Sequence, residues 1–375
     1  MNRSQEMTNV FAISSTEVAE PKDTSENRLA SLEQEAMETK HMMRVIDSAT
    51  HLLGSKQDIV FTDYQDYAEK EEWVMAVFDG HGKDVKRTNP ATGKIESHNI
   101  TLLLIQELID SGEMREILKG DIYGEEDPAT IIQHKIADCC MKYDRDIVGG
   151  STMSMVQISH DFSTKKITVN VLTVGDSPVV IHRNGEKIFE SAIHDAANVA
   201  EIDRLFRIHP DFSLTDSRTF EVLDDHTVCS VPAKYIKIHG RELAMTQSLG
   251  HMDYRNPYTA YRAEVKCRKG IFEIAPEKQR FVFDETDKIN IKGFSDGVSD
   301  VMILKSAKDQ AILREANAVE TAEFAKARWQ QPWDAVNKGH YINADDPSIV
   351  KRQLHFFGNT ADDVCCVCWI QKEAM

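Results

Sequence analysis

The chain has 375 residues, of which 41% are hydrophobic and 28% are charged, a composition typical of a soluble globular protein with one large or two ordinary domains. Its net charge of −17 argues against nucleic-acid binding, which needs clustered Lys and Arg. No apolar run reaches the roughly 20 residues of a membrane helix, and the first residues lack the apolar core of a signal peptide. An intracellular location, cytoplasmic or nuclear, is therefore expected.

The beginning of the chain differs in composition from the rest. Residues 1–44 are polar, acidic and poor in aromatic side chains, which predicts a disordered tail before a single domain at 45–375. Residues 32–46 also allow a short helix. The seven cysteines are odd in number and partly adjacent, so they do not resemble a disulfide framework. We expect reduced thiols packed in the core, with Cys365, Cys366 and Cys368 in a buried strand.

The chain is organised around Trp73–Phe78, an unbroken apolar run of strand length. Such a run suits a strand that is buried on both faces. It ends abruptly at Asp79-Gly80-His81-Gly82. Asp79 is a hard oxygen ligand, Gly80 lets a backbone carbonyl approach an ion, and His81 can transfer a proton near neutral pH. Taken alone, these four residues also suit a polar turn after the strand.

The other elements follow from apolar periodicity and turn residues. A strand is predicted to end near Phe61, and apolar residues three and four apart predict a helix containing Leu102, Ile105 and Ile109. Asp127-Pro128 begins a second helix, with Asp as the N-cap. Further strands are predicted at residues 152–158, 167–174, 178–182, 280–283, 288–294 and 364–370. Helices are predicted at residues 199–208, 242–249 and 303–330, with loops at 331–358.

Six aspartates share one setting, because each lies at or near the end of an apolar strand beside small residues. They are Asp58, Asp79, Asp176, Asp296, Asp300 and Asp362. Any one of them is most simply a turn residue, but several brought together would repel strongly. Divalent cations remove that repulsion, and carboxylates with a glycine carbonyl suit Mg²⁺ or Mn²⁺ better than zinc. Two such ions about 3.5–4 Å apart can share a hydroxide and clamp phosphate oxygens during an in-line displacement.

Short motifs around these aspartates follow one another in a recognisable order. They are Gln57-Asp58, V-F-D-G-H-G at 77–82, G-G-S-T at 149–152, V-G-D-S at 174–177, G-R-E-L-A-M-T-Q-S-L-G at 240–250, S-D-G-V-S-D at 295–300 and D-D-V at 362–364. Over residues 45–372 their order and spacing resemble the metal-dependent protein phosphatase family, the type 2C serine/threonine phosphatases. The resemblance implies an α+β fold: a central antiparallel β-sandwich flanked by antiparallel α-helices, in four layers α-β-β-α, with metals in a cleft at one edge.

The resemblance also implies which residues hold the metal ions. Asp79 matches a carboxylate that bridges both ions. The Gly80 carbonyl joins the first ion, and Asp58 acts on it through water. Asp296 and Asp362 hold the second ion.

Further implications concern the third ion, the chemistry and the partners. Asp176 and Asp300 match positions linked to a weaker third ion, and His81 matches a proposed general acid for the leaving serine or threonine oxygen. The implied activity is hydrolysis of phosphoserine and phosphothreonine in proteins by a metal-bridged hydroxide, with Mg²⁺ or Mn²⁺ as cofactor. Phosphorylated proteins are then the partners, while nucleic acid and membranes are not. The sequence carries no oligomer signal, so a monomer is the default.

Several positions depart from the family pattern. The arginine that binds substrate phosphate is replaced by Leu53, or by Lys56 if the loop is shorter here. Gln247, His251 and Lys83 stand where the family has an arginine, an aspartate and a glycine. Three functions therefore stay open: an active phosphoprotein phosphatase, a weak or inactive member that serves as a binding or regulatory module, and a metal-dependent hydrolase of another phosphoester.

Overall fold

The computed structural model describes residues 42–53, 57–88, 95–142, 146–209, 211–238, 241–252, 273–303, 306–337, 352–356 and 361–373. The strands in these ranges are β1 (Met42–His51), β2 (Asp58–Asp66), β3 (Lys70–His81), β4 (Val85–Thr88), β5 (Ile95–His98), β6 (Ile147–Ser151), β7 (Met153–Asp161), β8 (Lys166–Val174), β9 (Val179–Arg183), β10 (Glu186–Glu190), β11 (Ser213–Asp224), β12 (Thr227–Ile238), β13 (Arg241–Leu243), β14 (Leu249–Met252), β15 (Glu277–Asp284), β16 (Ile289–Phe294), β17 (Trp333–Asn337), β18 (Arg352–Leu354) and β19 (Val364–Glu373). The helices are α1 (Ile100–Asp110), α2 (Glu113–Leu118), α3 (Pro128–Lys142), α4 (Val199–Ile208), α5 (Asp296–Ser299), α6 (Ala307–Glu315) and α7 (Ala318–Gln330).

Two antiparallel sheets form the centre of the fold. The first has the strand order β1-β19-β16-β9-β10, and the second has the order β14-β6-β3-β7-β8-β15, with β2 also paired to β3. The apolar run in β3 alternates between two cores, because successive side chains of a strand point to opposite faces. Trp73, Met75 and Val77 pack in the cluster between the sheets, whereas Val74 and Phe78 pack on the other side. The prediction of a strand buried on both faces is confirmed.

Helices cover the outer face of each sheet. Residues of α1, α2 and α3 share one hydrophobic cluster with the second sheet. Residues of α5, α6 and α7 share another cluster with β16 and β19 of the first sheet. The four layers are therefore α-β-β-α, and the predicted α+β class with an antiparallel sandwich is confirmed. The start of α3 is also as predicted, since the Asp127 carboxylate accepts a hydrogen bond of 2.8 Å from the Thr130 amide.

A third sheet lies beside the sandwich and was not predicted. The long strands β11 and β12 form a hairpin, to which β13, β17 and β18 add. The pairing of β12 with β17 is parallel. Trp333 of β17 is fully buried against Val222 and Val228 of the hairpin. Two of these strands fall in residues 331–358, which were predicted as loop.

Two further predictions about local structure are wrong. Residues 242–249 do not form a helix: β13 and β14 flank an irregular segment there, and Thr246 is tied by its amide to the His194 carbonyl at 2.7 Å. A helix cannot extend to Ile46 either, because β1 begins at Met42 and pairs along its whole length with β19. This strand starts inside the segment predicted as tail, whose other residues lie outside the described ranges.

The cysteines of the described ranges form no disulfide. Cys365, Cys366 and Cys368 are fully buried in β19, as predicted, and Cys267 lies outside the described residues. Among the helices of the described ranges, none has the length and apolar character that a membrane crossing requires.

Candidate metal centre

The ends of three apolar strands meet at one end of the sandwich. Asp79 lies near the end of β3, Asp296 follows β16 as the first residue of α5, and Asp362 precedes β19. All three line one cavity of about 250 Å³. The other lining residues are Gln57, Gly80, His81, Gly82, Thr152 and Met245. The structure therefore brings together carboxylates that are far apart in the sequence.

The end of β3 is held on both sides by backbone hydrogen bonds. Asp58 of β2 lies directly opposite Asp79 in the ladder. The Gly80 amide donates to the Gln57 carbonyl at 3.1 Å, and the Thr152 amide donates to the Asp79 carbonyl at 2.8 Å. A Cβ at residue 80 would lie 2.0 Å from Leu102 Cδ1 and 2.7 Å from the Gln57 carbonyl oxygen, so this position accepts only glycine.

The start of α5 and the start of β19 are in equally close contact. A Cβ at Gly297 would lie 1.9 Å from the Asp363 carbonyl oxygen, and the Gly297 carbonyl accepts a hydrogen bond of 2.6 Å from Trp329 Nε1. This contact brings Asp296 close to Asp362. Ligand oxygens of Asp296, Asp300 and Asp362 lie within 4.8 Å of one another.

Asp176 lies in the turn after β8. The preceding Gly175 has a φ of +100°, and a Cβ there would lie 2.7 Å from Thr152 Cγ2, so the turn packs directly on a lining residue. Asp176 Oδ1 is buried and has no hydrogen-bond partner among the described residues. Asp176 faces the cluster, since after burial its charge is the largest contribution to the raised pKa of Asp296.

The cluster of carboxylates is electrostatically unfavourable without a cation. Burial, with the charges of neighbouring aspartates, raises the pKa of Asp58 to about 7, of Asp296 to about 6 and of Asp362 to about 8. Burial and the charge of Asp296 also raise the pKa of Asp79 well above its ordinary value. The described cavity lining contains no Lys or Arg to balance these charges.

The donor set fits hard divalent cations. Asp58 Oδ2 and Asp296 Oδ1 are buried and lack hydrogen-bond partners among the described residues. Three carboxylates, of Asp79, Asp296 and Asp362, line the cavity, and carboxylate oxygens suit Mg²⁺ or Mn²⁺ better than zinc. Gly80 also lines the cavity, directly after Asp79. These features are those expected of a divalent-metal centre.

His81 lies at the edge of the same cavity. Its Nε2 lies 2.7 Å from His251 Nε2 and 3.1 Å from Ser248 Oγ. Burial lowers the pKa of His81 to about 4, so its imidazole is neutral at pH 7 in the metal-free protein.

Two polar residues that the sequence did not single out hold the cavity together. The Asn99 amide nitrogen contacts the His81 carbonyl at 3.0 Å, the Gly150 carbonyl at 2.7 Å and Gln57 Oε1 at 3.2 Å. The fully buried Asp363 accepts a hydrogen bond of 2.7 Å from the Gln57 amide, next to Asp58. The sequence gives only a weak signal for each of them. Asn99 lies just before the predicted helix that contains Leu102, and Asp363 is a second aspartate directly after Asp362.

Two of the positions that depart from the family pattern, Leu53 and Gln247, are not among the residues that line the cavity. Leu53 packs against the hydrophobic cluster of α5–α7 and the first sheet. Gln247 is fully buried, and its Oε1 accepts a hydrogen bond of 2.8 Å from the Ala275 amide. Lys56, the predicted phosphate-binding residue, lies outside the described residues.

A four-layer sandwich with carboxylates from both sheets around one cavity is an arrangement that suits a protein that binds divalent metal ions. A sequence model of the family Protein phosphatase 2C matches residues 54–328. The chain belongs to this family, whose members are metal-dependent and act on phosphoproteins.

Several solved structures are similar to the chain. One is a C. elegans sex determining protein, at 16% identity and a TM-score of 0.48, covering 92% of this chain and 70% of that chain. Another is the Mycobacterium tuberculosis serine/threonine phosphatase PstP/Ppp, at 13% identity and a TM-score of 0.41, covering 87% and 98%. A third is the catalytic domain of PstP in complex with 2 manganese ions, at 14% identity and a TM-score of 0.41, covering 89% and 100%. A search of curated proteins found no match.

Proposed function

We propose that the protein hydrolyses phosphoserine and phosphothreonine in other proteins, with two Mg²⁺ or Mn²⁺ ions as cofactor. The observation that supports this most is the convergence of Asp79, Asp296 and Asp362 on one cavity next to His81. When bound there, two divalent ions supply Lewis acidity and an activated water for phosphoester hydrolysis.

The ligand assignment rests on which carboxylates are neighbours. Asp79 pairs with Asp58 in the β-ladder and lines the same cavity as Asp296, whose charge helps to raise the pKa of Asp79. We therefore assign Asp79 as the bridging ligand. The first ion is assigned to Asp79 and the Gly80 carbonyl, with Asp58 acting through water, and the second to Asp79, Asp296 and Asp362. A weaker third ion is assigned to Asp176 and Asp300.

His81 is assigned as the general acid, a role that requires the imidazolium, which is the minor form at pH 7 because burial lowers the pKa of His81 to about 4. A serine or threonine alkoxide is a poor leaving group, so a proton supplied to its oxygen accelerates the reaction by roughly 10²–10⁴-fold. The position of His81 at the cavity edge, two residues after Asp79, supports this role. His81→Gln should then slow phosphoserine hydrolysis far more than hydrolysis of an activated aryl phosphate.

Because carboxylates line the cavity, substrate phosphate needs a cationic side chain in addition to the metal ions. Lys56 directly precedes Gln57, a lining residue, and we assign its ammonium to this role. A second candidate for phosphate binding is Lys83. It is exposed and follows Gly82, which also lines the cavity.

A pair of lysine variants tests this assignment. Lys56→Ala should lower kcat/KM for a phosphopeptide by about 10- to 100-fold, the value of one charge-assisted hydrogen bond, and Lys83→Ala should change it little. If Lys83→Ala lowers kcat/KM and Lys56→Ala does not, phosphate binding is assigned to Lys83 instead. Leu53→Arg should bring no gain, because residue 53 packs in an apolar cluster.

A second function is favoured by the altered phosphate contacts. The Gln247 side chain accepts a hydrogen bond from the Ala275 amide, and no Lys or Arg lines the described cavity. These observations suit a member that binds metal and phosphoprotein with little turnover. It differs from an active enzyme in one result: Mn²⁺ and phosphopeptide bind, but no phosphate is released.

Phosphate release from a phosphoserine peptide, with Mn²⁺ and with excess EDTA, tests the proposed activity. Turnover should require Mn²⁺, and Asp79→Asn should nearly abolish it while the fold is kept. Asp216→Asn is the matched control, because its carboxylate is 89% exposed and contacts only Lys234. Full activity of the Asp79 variant, or of the wild type in EDTA, would contradict the two-metal mechanism.

A further inference from the structure

His81 and His251 form a close pair at the edge of the cavity. Their Nε2 atoms lie 2.7 Å apart, and their centroids lie 4.8 Å apart with 23° between the planes, so the two rings meet edge to edge. A neutral imidazole has one donor and one acceptor nitrogen. An N–H···N hydrogen bond therefore joins the two rings, with one proton between the two Nε2 atoms.

The backbone conformation at Gly250 and His251 places the His251 ring beside His81. Gly250 and His251 both have positive φ, +83° and +50°, and the β14–β6 register shifts between Gly250 and Met252. A non-glycine residue in this region is strained, and the conformation persists only where its surroundings hold it. Here Gln133 holds the strand, since it accepts from the Gly250 amide at 2.8 Å and donates to the Gly250 carbonyl at 3.2 Å.

The opposite strand leaves room for the ring. A Cβ at Gly150 would lie 2.3 Å from His251 Nε2 and 2.5 Å from its Cδ2. Gly150 is the ladder partner of His81 in β3 and of Gly250 in β14, so His81 and His251 both lie next to this glycine. His251 is only 2% exposed, so it has little contact with solvent.

We infer that His251 is a positioning residue for His81. Its ring lies edge to edge with His81 and is joined to His81 Nε2 by a hydrogen bond, which fixes the plane of the His81 ring and the nitrogen that carries its proton. His251 itself lies behind His81 and is not among the residues that line the cavity. The inference rests on the proposed function, in which His81 protonates the leaving oxygen. It gives the family departure at residue 251 a role in the reaction.

A kinetic cycle with two substrates tests this inference in the Mn²⁺-loaded protein. His251→Ala should lower kcat for a phosphoserine peptide by about 10-fold or more, yet change kcat for p-nitrophenyl phosphate by less than about threefold, because an aryl leaving group needs no proton. In the His81→Ala background the same substitution should have no further effect, since it acts through His81. His251→Gln, which keeps a hydrogen-bonding group, should recover part of the loss.

A structural role would give a different pattern. It would slow both substrates equally, and its effect would persist without His81; either result overturns the inference. His182→Ala is the matched control, because His182 is a 4% exposed histidine in β9 and away from the cavity. It is expected to leave the ratio of the two activities unchanged.

A spectroscopic measurement decides the pairing independently of activity. The ¹⁵N-labelled full-length protein should show a through-hydrogen-bond coupling between the two Nε2 atoms, and this coupling should vanish in His251→Gln. Its absence from the wild type overturns the pairing and with it the positioning role. If the wild type shows the coupling but releases no phosphate from either substrate, the proposed function fails, and the general-acid role given to the pair fails with it.

Discussion

Gly297 is the point where a single methyl group should disturb the metal centre most. It joins the start of α5 to the start of β19, and so fixes Asp296 relative to Asp362. A Cβ at this position would lie 1.9 Å from the Asp363 carbonyl oxygen, whereas ordinary contacts begin at 3.4 Å. Because the obstacle is backbone, Gly297→Ala has to move the two segments apart by about 1.5 Å, the difference between those distances.

The expected cost has two parts. Forced repacking of this kind costs about 1–3 kcal/mol. The movement also disturbs the hydrogen bond of 2.6 Å from Trp329 Nε1 to the Gly297 carbonyl, which is worth about 1 kcal/mol. We expect the free energy of unfolding to fall by about 2–4 kcal/mol. Misplacement of reacting groups by about 1 Å can cost roughly 100-fold in turnover, so activity should fall as well.

Urea unfolding in EDTA measures the stability, and a Mn²⁺ titration of the folded variant measures the affinity of the site. Gly124→Ala is the control, because the nearest atom to its Cβ is the carboxylate oxygen of the Asp121 side chain at 3.3 Å, which can move. Its stability should stay within about 0.5 kcal/mol of the wild type. If Gly297→Ala matches this control in both stability and Mn²⁺ affinity, the account of the α5–β19 contact is wrong.

Two further predictions concern charge and burial. In EDTA the free energy of unfolding should fall as pH rises from about 5 to 8. Burial raises the pKa of Asp58 to about 7 and of Asp362 to about 8 from 3.8, so the native state holds protons that the unfolded chain has released. This contribution is complete below the ordinary aspartate pKa and is lost as pH rises through the folded values; a stability that rises over this interval would contradict it. The buried thiols of β19 should resist a thiol reagent in the native protein and react after unfolding, because burial raises their pKa, to about 12 for Cys368. Rapid labelling of native Cys365, Cys366 and Cys368 would refute the buried packing.

The sequence predicted the strands whose pattern is strongly apolar. Trp73–Phe78 is buried on both faces, and its abrupt end at Asp79 marks the cavity. The hairpin of β11 and β12 gave no such pattern, because most of the residues in both strands are exposed or half-buried. Residues 242–249 contain good helix formers, yet the tertiary contacts of Thr246 and Gln247 override this propensity.

The carboxylates that line the cavity were predictable because each one lies at or near the end of an apolar strand, but the residues that support them were not. Asp363 reaches the Gln57 amide across 306 positions of sequence, and His251 reaches His81 across 170. Their roles depend on which strands become neighbours. Lys292 lies in the strand predicted at residues 288–294, and its burial there depends on the Ile312 and Leu313 carbonyls, which accept hydrogen bonds from its ammonium at 2.7 and 2.6 Å.

The central claim is that Asp79 bridges two divalent ions in the cavity, and anomalous diffraction from crystals soaked in Mn²⁺ tests it most directly. The account predicts two peaks about 3.5–4 Å apart, with the Asp79 carboxylate between them. Asp296 and Asp362 should contact one peak, and the Gly80 carbonyl should contact the other. A single peak, or two peaks with Asp79 bound to neither, would contradict the two-metal centre.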